Sequence, residues 1–208
     1  MANSVSRVEA RRAAVLEEIL GHAVDVMTEQ GVGALSLSEV ARRMGMRTPS
    51  LYKHVASLQD LRDALFSRGL VESLAAVESA TTSAEEGWPR IRAGAEAVVR
   101  WAVAHPALAQ LLYWRTVPSY EPAAEAFRPS RDDADRLREE LRAAVRLGQL
   151  SPAADSAEAA RLYTVLLSGV ISQHLANQPR QSFGRGDFTR LLPAALDMFA
   201  ARYAPERP

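Results

Sequence analysis

Cysteine is absent from the 208 residues of the chain. Its absence excludes disulfide scaffolds, thiolate zinc sites and cysteine nucleophiles. Long apolar runs are also missing, since the densest, residues 162–171, has about half of the ~20 residues that a membrane-spanning helix needs. The first twenty residues already carry several charged side chains, which leaves no space for the apolar core of a signal peptide. We therefore expect a globular protein of the cytoplasm that does not enter a membrane.

The chain also lacks net charge and has almost no lysine. Its 25 basic and 25 acidic residues cancel, which argues against a general coat protein for nucleic acid but says nothing about local patches. Lys53 is the single lysine, and arginine supplies the remaining positive charge.

Catalytic and cofactor-binding signatures are missing as well. Gly31-x-Gly33 and Gly184-x-Gly186 lack the third glycine and the preceding strand of a dinucleotide-binding fold. No Gly-Lys-Ser/Thr phosphate loop, Gly-x-Ser-x-Gly elbow or His-Glu-x-x-His zinc motif is present. We therefore predict a protein that is not an enzyme and that uses neither a cofactor nor a metal.

Apolar residues recur at helical spacing along nearly the whole chain, and no segment alternates convincingly as a half-buried strand does. This pattern predicts an all-α protein, with an N-terminal head of three helices that a long fourth helix joins to a larger helical body. The predicted long helices and their later neighbours cover about residues 8–30, 58–79, 89–104, 107–113, 122–147, 152–177 and 187–203. In the helix at 122–147, Asp132–Arg136 and Arg136–Glu140 have i,i+4 spacing and predict a solvated face.

Two short helices are predicted between the first and the fourth, within residues 36–55. Ser36 followed by Glu39 forms a capping box that starts the first of them, and Gly45 ends it. Pro49 suits the first turn of the second short helix. Such a pair with a tight glycine-containing turn is typical of a helix-turn-helix, whose second helix can enter the major groove of DNA.

A local positive patch coincides with this motif. No acidic residue lies between Glu39 and Asp60, as expected of a surface that faces phosphates. The basic residues of the patch are Arg42, Arg43, Arg47 and Lys53. The alternative is an ordinary helical hairpin with a solvated basic face, and charge alone does not decide between the two.

The residue identities favour DNA binding. Thr-Pro-Ser-Leu-Tyr-Lys-His-Val at residues 48–55 resembles the recognition helix of the TetR family of bacterial transcription regulators. The resemblance extends from about Ala13 to Val71. It includes a first helix that ends in Gln-Gly, the Leu-Ser-Leu-Ser-Glu-Val-Ala segment, the Gly-Met turn and the Ser-Leu-Gln-Asp-Leu start of the fourth helix.

The resemblance implies a domain organisation and roles in DNA binding. It implies an N-terminal arm at 1–12, a DNA-binding domain at 13–73 with its motif at 36–55, and a body at 74–208 that binds a ligand and dimerises. The residues expected to contact DNA are Ser38, Arg47, Thr48, Ser50, Tyr52, Lys53 and His54. Tyr52 is expected to donate its hydroxyl to a phosphate while its ring packs on the core of the head.

Other positions in the head carry further expectations. Leu51 and Val55 are expected to face inward. Leu58 departs from the family pattern, because many members place there a lysine or another polar residue that contacts phosphate. The N-terminal arm, with Arg7, Arg11 and Arg12, is the segment that could supplement this contact.

The body resembles the family less specifically, and its candidates rest on chemistry. Ligand pockets are mainly apolar with a few polar groups. The candidate ligand-binding residues are Trp101, Tyr113, Trp114, Tyr120, Phe127, Tyr163, Gln173 and His174. The alternative for each is a place in the core.

The last two long helices carry stripes of small and apolar residues that suit a four-helix interface between two copies of the chain. The candidate interface residues are Leu162, Leu166, Gly169, Val170, Leu191, Leu192, Ala195, Met198 and Phe199. The alternative is ordinary packing within one chain.

These features together predict a homodimeric transcription regulator, most simply a repressor that a small-molecule inducer releases from a palindromic double-stranded DNA operator. Two alternatives stay open. One is a DNA-binding regulator without a small ligand, which is constitutive or switched by a protein partner. The other is an all-α enzyme in which the head is vestigial.

Overall fold

The computed structural model describes residues 2–114, 116–118 and 120–205, with side chains from residue 9 onward. Arg7 of the predicted arm therefore lies outside the described side chains. Within these residues all regular elements are helical and strands are absent, which confirms the all-α fold class. No helix among them is both long enough and apolar enough to cross a membrane.

The helices follow one another with short connections. In chain order they are α1 (Ala2–Gln30), α2 (Leu37–Arg43), α3 (Thr48–Leu51), α4 (Leu58–Thr81), α5 (Trp88–Ala104), α6 (Pro106–Tyr113), α7 (Ala124–Arg146), α8 (Ala157–Asn177) and α9 (Leu192–Arg202). Single 3-10 turns lie at Val32–Ala34, Pro152–Ala154 and Thr189–Leu191.

Three helix limits differ from the sequence-based prediction for identifiable reasons. Helix α1 begins at Ala2 rather than near residue 8, since no glycine or proline interrupts residues 2–20. Helix α8 begins at Ala157, because the Ser156 side chain caps it by accepting from the Ala159 N–H at 3.2 Å. The 3-10 turn at Thr189–Leu191 likewise delays the start of α9.

The chain forms two compact units, and the first combines two stretches, Met1–Gly69 and Ala107–Ala126. The head helices all contribute to its core. Its fully buried side chains are Ile19 and Val26 of α1, Val40 of α2, Leu51 of α3, and Leu61 and Leu65 of α4. Helix α6 and the loop after it therefore pack with the head, although they follow α5 in the chain.

The second unit comprises Leu70–Pro106 and Phe127–Pro208, and an aromatic cluster lies in its core. The Trp88 ring stacks on Phe199 with centroids 5.4 Å apart, and Tyr163 meets Phe199 edge-on at 6.1 Å. The Tyr163 hydroxyl donates to the Ile91 carbonyl at 3.3 Å, and the Tyr203 ring lies 4.9 Å from Phe199. The cluster joins α5, α8 and α9 through large buried surfaces, which dominate core energetics.

Candidate nucleic-acid interface

Helix α2 begins and ends as the sequence predicts. The Ser36 hydroxyl accepts from the Glu39 N–H at 3.3 Å at its start. At its end, Gly45 adopts φ +65° while the Met46 N–H donates to the Ala41 carbonyl and the Gly45 N–H to the Arg42 carbonyl. These two bonds form a Schellman motif, whose left-handed position favours glycine. The turn of the helix-turn-helix is thus fixed by the backbone itself.

Helix α3 is a short, proline-started turn with one inward face. Its α-helical bonds end at Leu51, earlier than predicted, but the Val55 N–H still donates to the Leu51 carbonyl at 3.1 Å, so the turn continues to Val55. Leu51 and Val55 are buried, as expected. Their burial orients the opposite face of α3 outward.

The residues expected to contact DNA lie mainly on the solvent side of the motif. Ser38, Arg47, Ser50, Tyr52 and Lys53 are exposed, while Thr48 and His54 are half-buried. The Tyr52 side chain is 52% exposed, so its ring packs less on the core than expected. The Nδ1 atom of His54 is buried and has no hydrogen-bond partner among the described residues.

Arg42 and Arg43, two members of the predicted patch, are held within the head. Glu39 accepts from Arg42 at 2.7 and 2.8 Å and from Arg43 Nε at 3.0 Å. Arg43 also donates to both carboxylate oxygens of Glu29 at 3.0 and 2.7 Å, which ties α2 to the end of α1. The Glu39 carboxylate therefore accepts from these two arginines and not from the Ser36 N–H, as a complete capping box would require.

The positive charge of the patch that no described acidic residue neutralises consequently lies on the two residues that flank α3. Among the described residues, Arg47 and Lys53 have no acidic partner, in contrast to Arg42 and Arg43. Arg47 sits at the N-cap of α3 and Lys53 lies beyond its last α-helical residue. A cation at the start of a recognition helix can reach base edges, and cations that flank it can reach phosphates.

We expect the Glu39 network to make the head sensitive to acid. Hydrogen bonds from Arg42 and then Arg43 lower the pKa of Glu39 from 4.5 to about 2. Because the folded pKa lies below the unfolded one, the carboxylate stabilises the head above its unfolded pKa, and this contribution is lost as pH falls from 4.5 toward 2.

Thermal unfolding of Glu39→Gln across this pH range tests the expectation. Its midpoint should lie below that of wild type at neutral pH, and the two should converge in acid. Glu18→Gln, an exposed substitution on α1, is the control and should track wild type throughout. A Glu39→Gln deficit that stays constant with pH would contradict the assignment of stability to this ion network.

Four of the candidate ligand-binding residues are buried. Trp101 stacks on His105 at 5.2 Å, Tyr163 belongs to the aromatic cluster, and His174 Nε2 lies 2.9 Å from the Gln181 carbonyl oxygen. Tyr120 donates its hydroxyl to Asp63 at 3.0 Å within the first unit. The indole N–H of Trp101 and Nδ1 of His174 are buried without partners among the described residues.

The other candidates are more accessible, and the eight are divided between the units. Tyr113, Phe127 and Gln173 are exposed and Trp114 is half-buried. Tyr113, Trp114 and Tyr120 belong to the first unit and the remaining five to the second. A separate groove of about 310 Å³ in the second unit is charged and contains none of the eight; it is lined by Glu86, Glu139, Glu140, Arg142, Ala143 and Arg146.

The candidate interface residues separate into an outward and an inward set. Gly169, Leu191 and Met198 are exposed, Met198 to 69%, while Leu162, Leu166, Val170 and Ala195 are half-buried. Leu192 and Phe199 instead lie in the core of the second unit, so they are not exposed at the surface that was predicted as the interface. Their positions on α9 point inward because Leu196 and Tyr203, which share their face, are also buried.

Sequence reasoning missed Val165, which is 65% exposed on the outer face of α8. A signal was present in the sequence: residues 162–177 contain no acidic residue, lysine or arginine, although α8 has exposed positions along its whole length. An exposed helix face without charge is unusual for a solvated surface and indicates a contact surface.

Two family profiles match the chain in order. One, described as bacterial regulatory proteins of the tetR family, matches residues 19–65 and includes the helix-turn-helix. The other, described as the tetracyclin repressor-like C-terminal domain, matches residues 91–199, which is more than half of the chain.

Individual relatives agree with these profiles. An uncharacterized HTH-type transcriptional regulator of Bacillus subtilis, YobS, is 31% identical over 88 residues, 42% of this chain and 46% of its own length. The HTH-type regulator Rv1816 of Mycobacterium tuberculosis is 33% identical over 96 residues, 45% of this chain and 41% of its own. The matches thus span less than half the length of these relatives.

The fold extends the similarity over nearly the whole chain. A protein of unknown function from Rhodococcus sp. RHA1 has a similar structure, with a TM-score of 0.75, 26% identity, and coverage of 91% of this chain and 95% of its own. The chain therefore belongs to the TetR family, whose members are transcription regulators, generally DNA-binding repressors, rather than enzymes.

Proposed function

We propose that the chain acts as a homodimeric repressor that binds a palindromic double-stranded operator and is released by a small-molecule inducer. In this proposal residues 13–73 form the DNA-binding domain, and residues 74–208 form the body that binds the ligand and dimerises. The DNA contacts come from Ser38, Arg47, Thr48, Ser50, Tyr52, Lys53 and His54.

The main support for these contacts is that Arg47 and Lys53, which flank α3, are exposed and have no acidic partner among the described residues. Burial of Leu51 and Val55 anchors this turn and leaves Arg47, Ser50 and Lys53 on its outer side. Arg47 suits a guanine edge, which accepts a bidentate arginine, and Lys53 suits a phosphate or a guanine. Arg42 and Arg43 take no direct part, since Glu39 and Glu29 already neutralise them.

Dimerisation is supported by the exposed apolar residues of α8 and α9, Val165, Leu191 and Met198, and by the absence of Asp, Glu, Lys and Arg from residues 162–177 of α8. Two copies related by a two-fold axis would bury the same patch on each other. A dimer also matches a palindromic operator, whose half-sites lie about one DNA turn (~34 Å) or a multiple of it apart. An inducer could bind more tightly to a conformation in which the two recognition helices do not match the half-site spacing. It would then release DNA, because it shifts the dimer population toward that conformation.

Ligand binding is supported by the family and by the Trp101 indole N–H, which is buried without a hydrogen-bond partner among the described residues. A buried N–H without an acceptor is uncommon, and a bound molecule with an acceptor atom would satisfy it. The alternative is a regulator without a small ligand, and the dense aromatic packing of Tyr163 against Phe199 favours it. A thermal-shift screen distinguishes the two, because an inducer of the body raises the unfolding midpoint.

Fluorescence anisotropy on duplexes from the upstream region of the gene tests DNA binding. We expect sequence-selective, salt-dependent binding that Lys53→Ala and Tyr52→Ala each weaken roughly tenfold, since each removes a contact to charged phosphate. Lys53→Ala should also lower the salt slope by about 2 per dimer, one for each lost contact.

Arg138→Ala is the matched control, because it removes an exposed arginine of α7 that pairs with Asp135 outside the head. It should leave both the affinity and the salt slope unchanged. Binding that shows no preference over random DNA, or that is indifferent to Lys53→Ala and Tyr52→Ala, would contradict the proposed interface.

A further inference from the structure

The loop that follows α6 is fastened to the first turns of α4. The Gln59 amide of α4 donates to the Glu121 carbonyl at 2.9 Å. One helical turn later, Asp63 Oδ1 accepts from the Tyr120 hydroxyl at 3.0 Å and from the Ala123 N–H at 3.3 Å. All five residues belong to the first unit. A single carboxylate oxygen of α4 thus gathers two donors from one loop.

Tyr120 is the buried member of this contact. Its side chain is 6% exposed, and its backbone N–H donates to the Val117 carbonyl at 3.0 Å, which closes the loop on itself. Burial, followed by the hydrogen bond to Asp63, raises the pKa of Tyr120 well above its usual value. The hydroxyl therefore donates to the Asp63 carboxylate from a buried position, and a hydrogen bond to a carboxylate is stronger than one between neutral groups.

Helix α6 itself also lies tightly against α4. A Cβ on Gly69 would come within 3.3 Å of Leu108 Cβ and 3.4 Å of Leu112 Cδ1. Helix α4 begins three residues after Val55, and its Leu61 and Leu65 are buried with Leu51 in the same unit. The helix that supports the recognition turn is therefore held along one side by α6 and by residues 120–123.

We propose that Asp63 and Tyr120 form a positioning latch that fixes α4 in the orientation required for operator binding. The latch rests on the proposed DNA-binding function and adds residues that touch no DNA. Thermodynamic linkage makes the coupling reciprocal. If the contact between Asp63 and Tyr120 favours operator binding, operator binding must stabilise this contact by the same free energy. This linkage can be measured with operator DNA alone.

Operator affinity of Tyr120→Phe is the first test. The substitution keeps the ring and removes only the donor, so we expect binding about tenfold weaker with an unchanged salt slope. Tyr203→Phe is the matched control, because the Tyr203 hydroxyl is buried without a partner among the described residues. Asp63→Asn, which keeps an acceptor oxygen, should bind more tightly than Asp63→Ala.

Hydrogen exchange of the amides at 120–124 is the second test. Saturation with the operator duplex should slow their exchange in wild type and in Tyr203→Phe, and much less in Tyr120→Phe. If wild type binds the operator but Tyr120→Phe binds within twofold of it and the loop exchange does not respond, the latch is overturned and the proposed function stands. If wild type recognises no operator, both proposals fall.

Discussion

Replacing Gly87 by alanine is expected to cost roughly 3–5 kcal/mol of folding free energy, because Gly87 is buried and its backbone has a positive φ. Gly87 is the N-cap of α5, with φ +83° and ψ −133°, a conformation nearly confined to glycine that costs an L-residue about 1–3 kcal/mol. A Cβ there would also overlap the Gln149 side-chain amide and approach Ala144 Cα to 3.0 Å. Overpacking of this kind typically costs about 1–3 kcal/mol.

The displaced groups explain why the clash is hard to relieve. Gln149 Oε1 accepts from the Trp88 N–H at 2.6 Å, and Glu140 Oε2 accepts from the Gly87 N–H at 3.2 Å. Glu140 is in turn paired with Arg90 at 3.0 Å. Moving Gln149 would leave the Trp88 amide at the helix start without its acceptor, which adds a desolvation cost.

Chemical denaturation of Gly87→Ala and Gly148→Ala separates the two causes. Gly148 also has a positive φ, +67°, but a Cβ there would meet no heavy atom within 4 Å. It should therefore show only the conformational cost of about 1–2 kcal/mol. An equal loss of unfolding free energy in the two variants would mean that the close approach of Gly87 to Gln149 does not contribute to the cost of the substitution.

Most of the head follows from local sequence signals. Ser36, Gly45 and Pro49 each act on the backbone within a few residues, so the start and end of α2 and the start of α3 could be read from the sequence. The inward positions of Leu51 and Val55 follow from helical spacing. The TetR-like identity of residues 48–55 then links these elements to DNA binding.

Contacts between distant residues could not be derived in this way. The sequence reading paired Glu140 with Arg136 on the same helix, whereas the structure pairs it with Arg90, fifty residues away. It counted Arg43 in the DNA-facing patch, but Glu29 at the end of α1 binds it. Local spacing cannot show which of several equally plausible partners tertiary packing brings close.

The same reason explains the mixed outcome for the outer helices. Periodicity identified apolar stripes on α8 and α9, but each helix has two such stripes, one toward the core and one toward solvent. Phe199 and Leu192 belong to the first kind, and Met198 and Leu191 to the second. Burial was needed to separate them, and it also added Val165 to the outer stripe.

Charged substitutions on this outer stripe are expected to lower operator affinity by at least about 100-fold. Met198→Glu or Val165→Glu would place a carboxylate in the proposed apolar interface, where an unpaired buried charge is strongly unfavourable. A monomer contacts one half-site only, and loss of the linked second half-site typically removes a factor of about 10²–10⁴ in avidity. The substitutions lie on α8 and α9, away from the recognition turn in the sequence, so we expect them to weaken DNA binding through loss of the dimer.

Sedimentation velocity and operator anisotropy on the same samples provide the decisive comparison. Both variants should sediment as monomers at concentrations where wild type is a dimer, and a high protein concentration should partly restore operator binding. Val71→Glu is the matched control, since it introduces the same charge at an exposed valine of α4, 59% accessible and outside the α8 and α9 stripes. Its dimer and its affinity should be preserved. If Met198→Glu and Val165→Glu remain dimeric, two copies of the chain must associate through another surface, and the absence of charged residues from 162–177 requires a different partner.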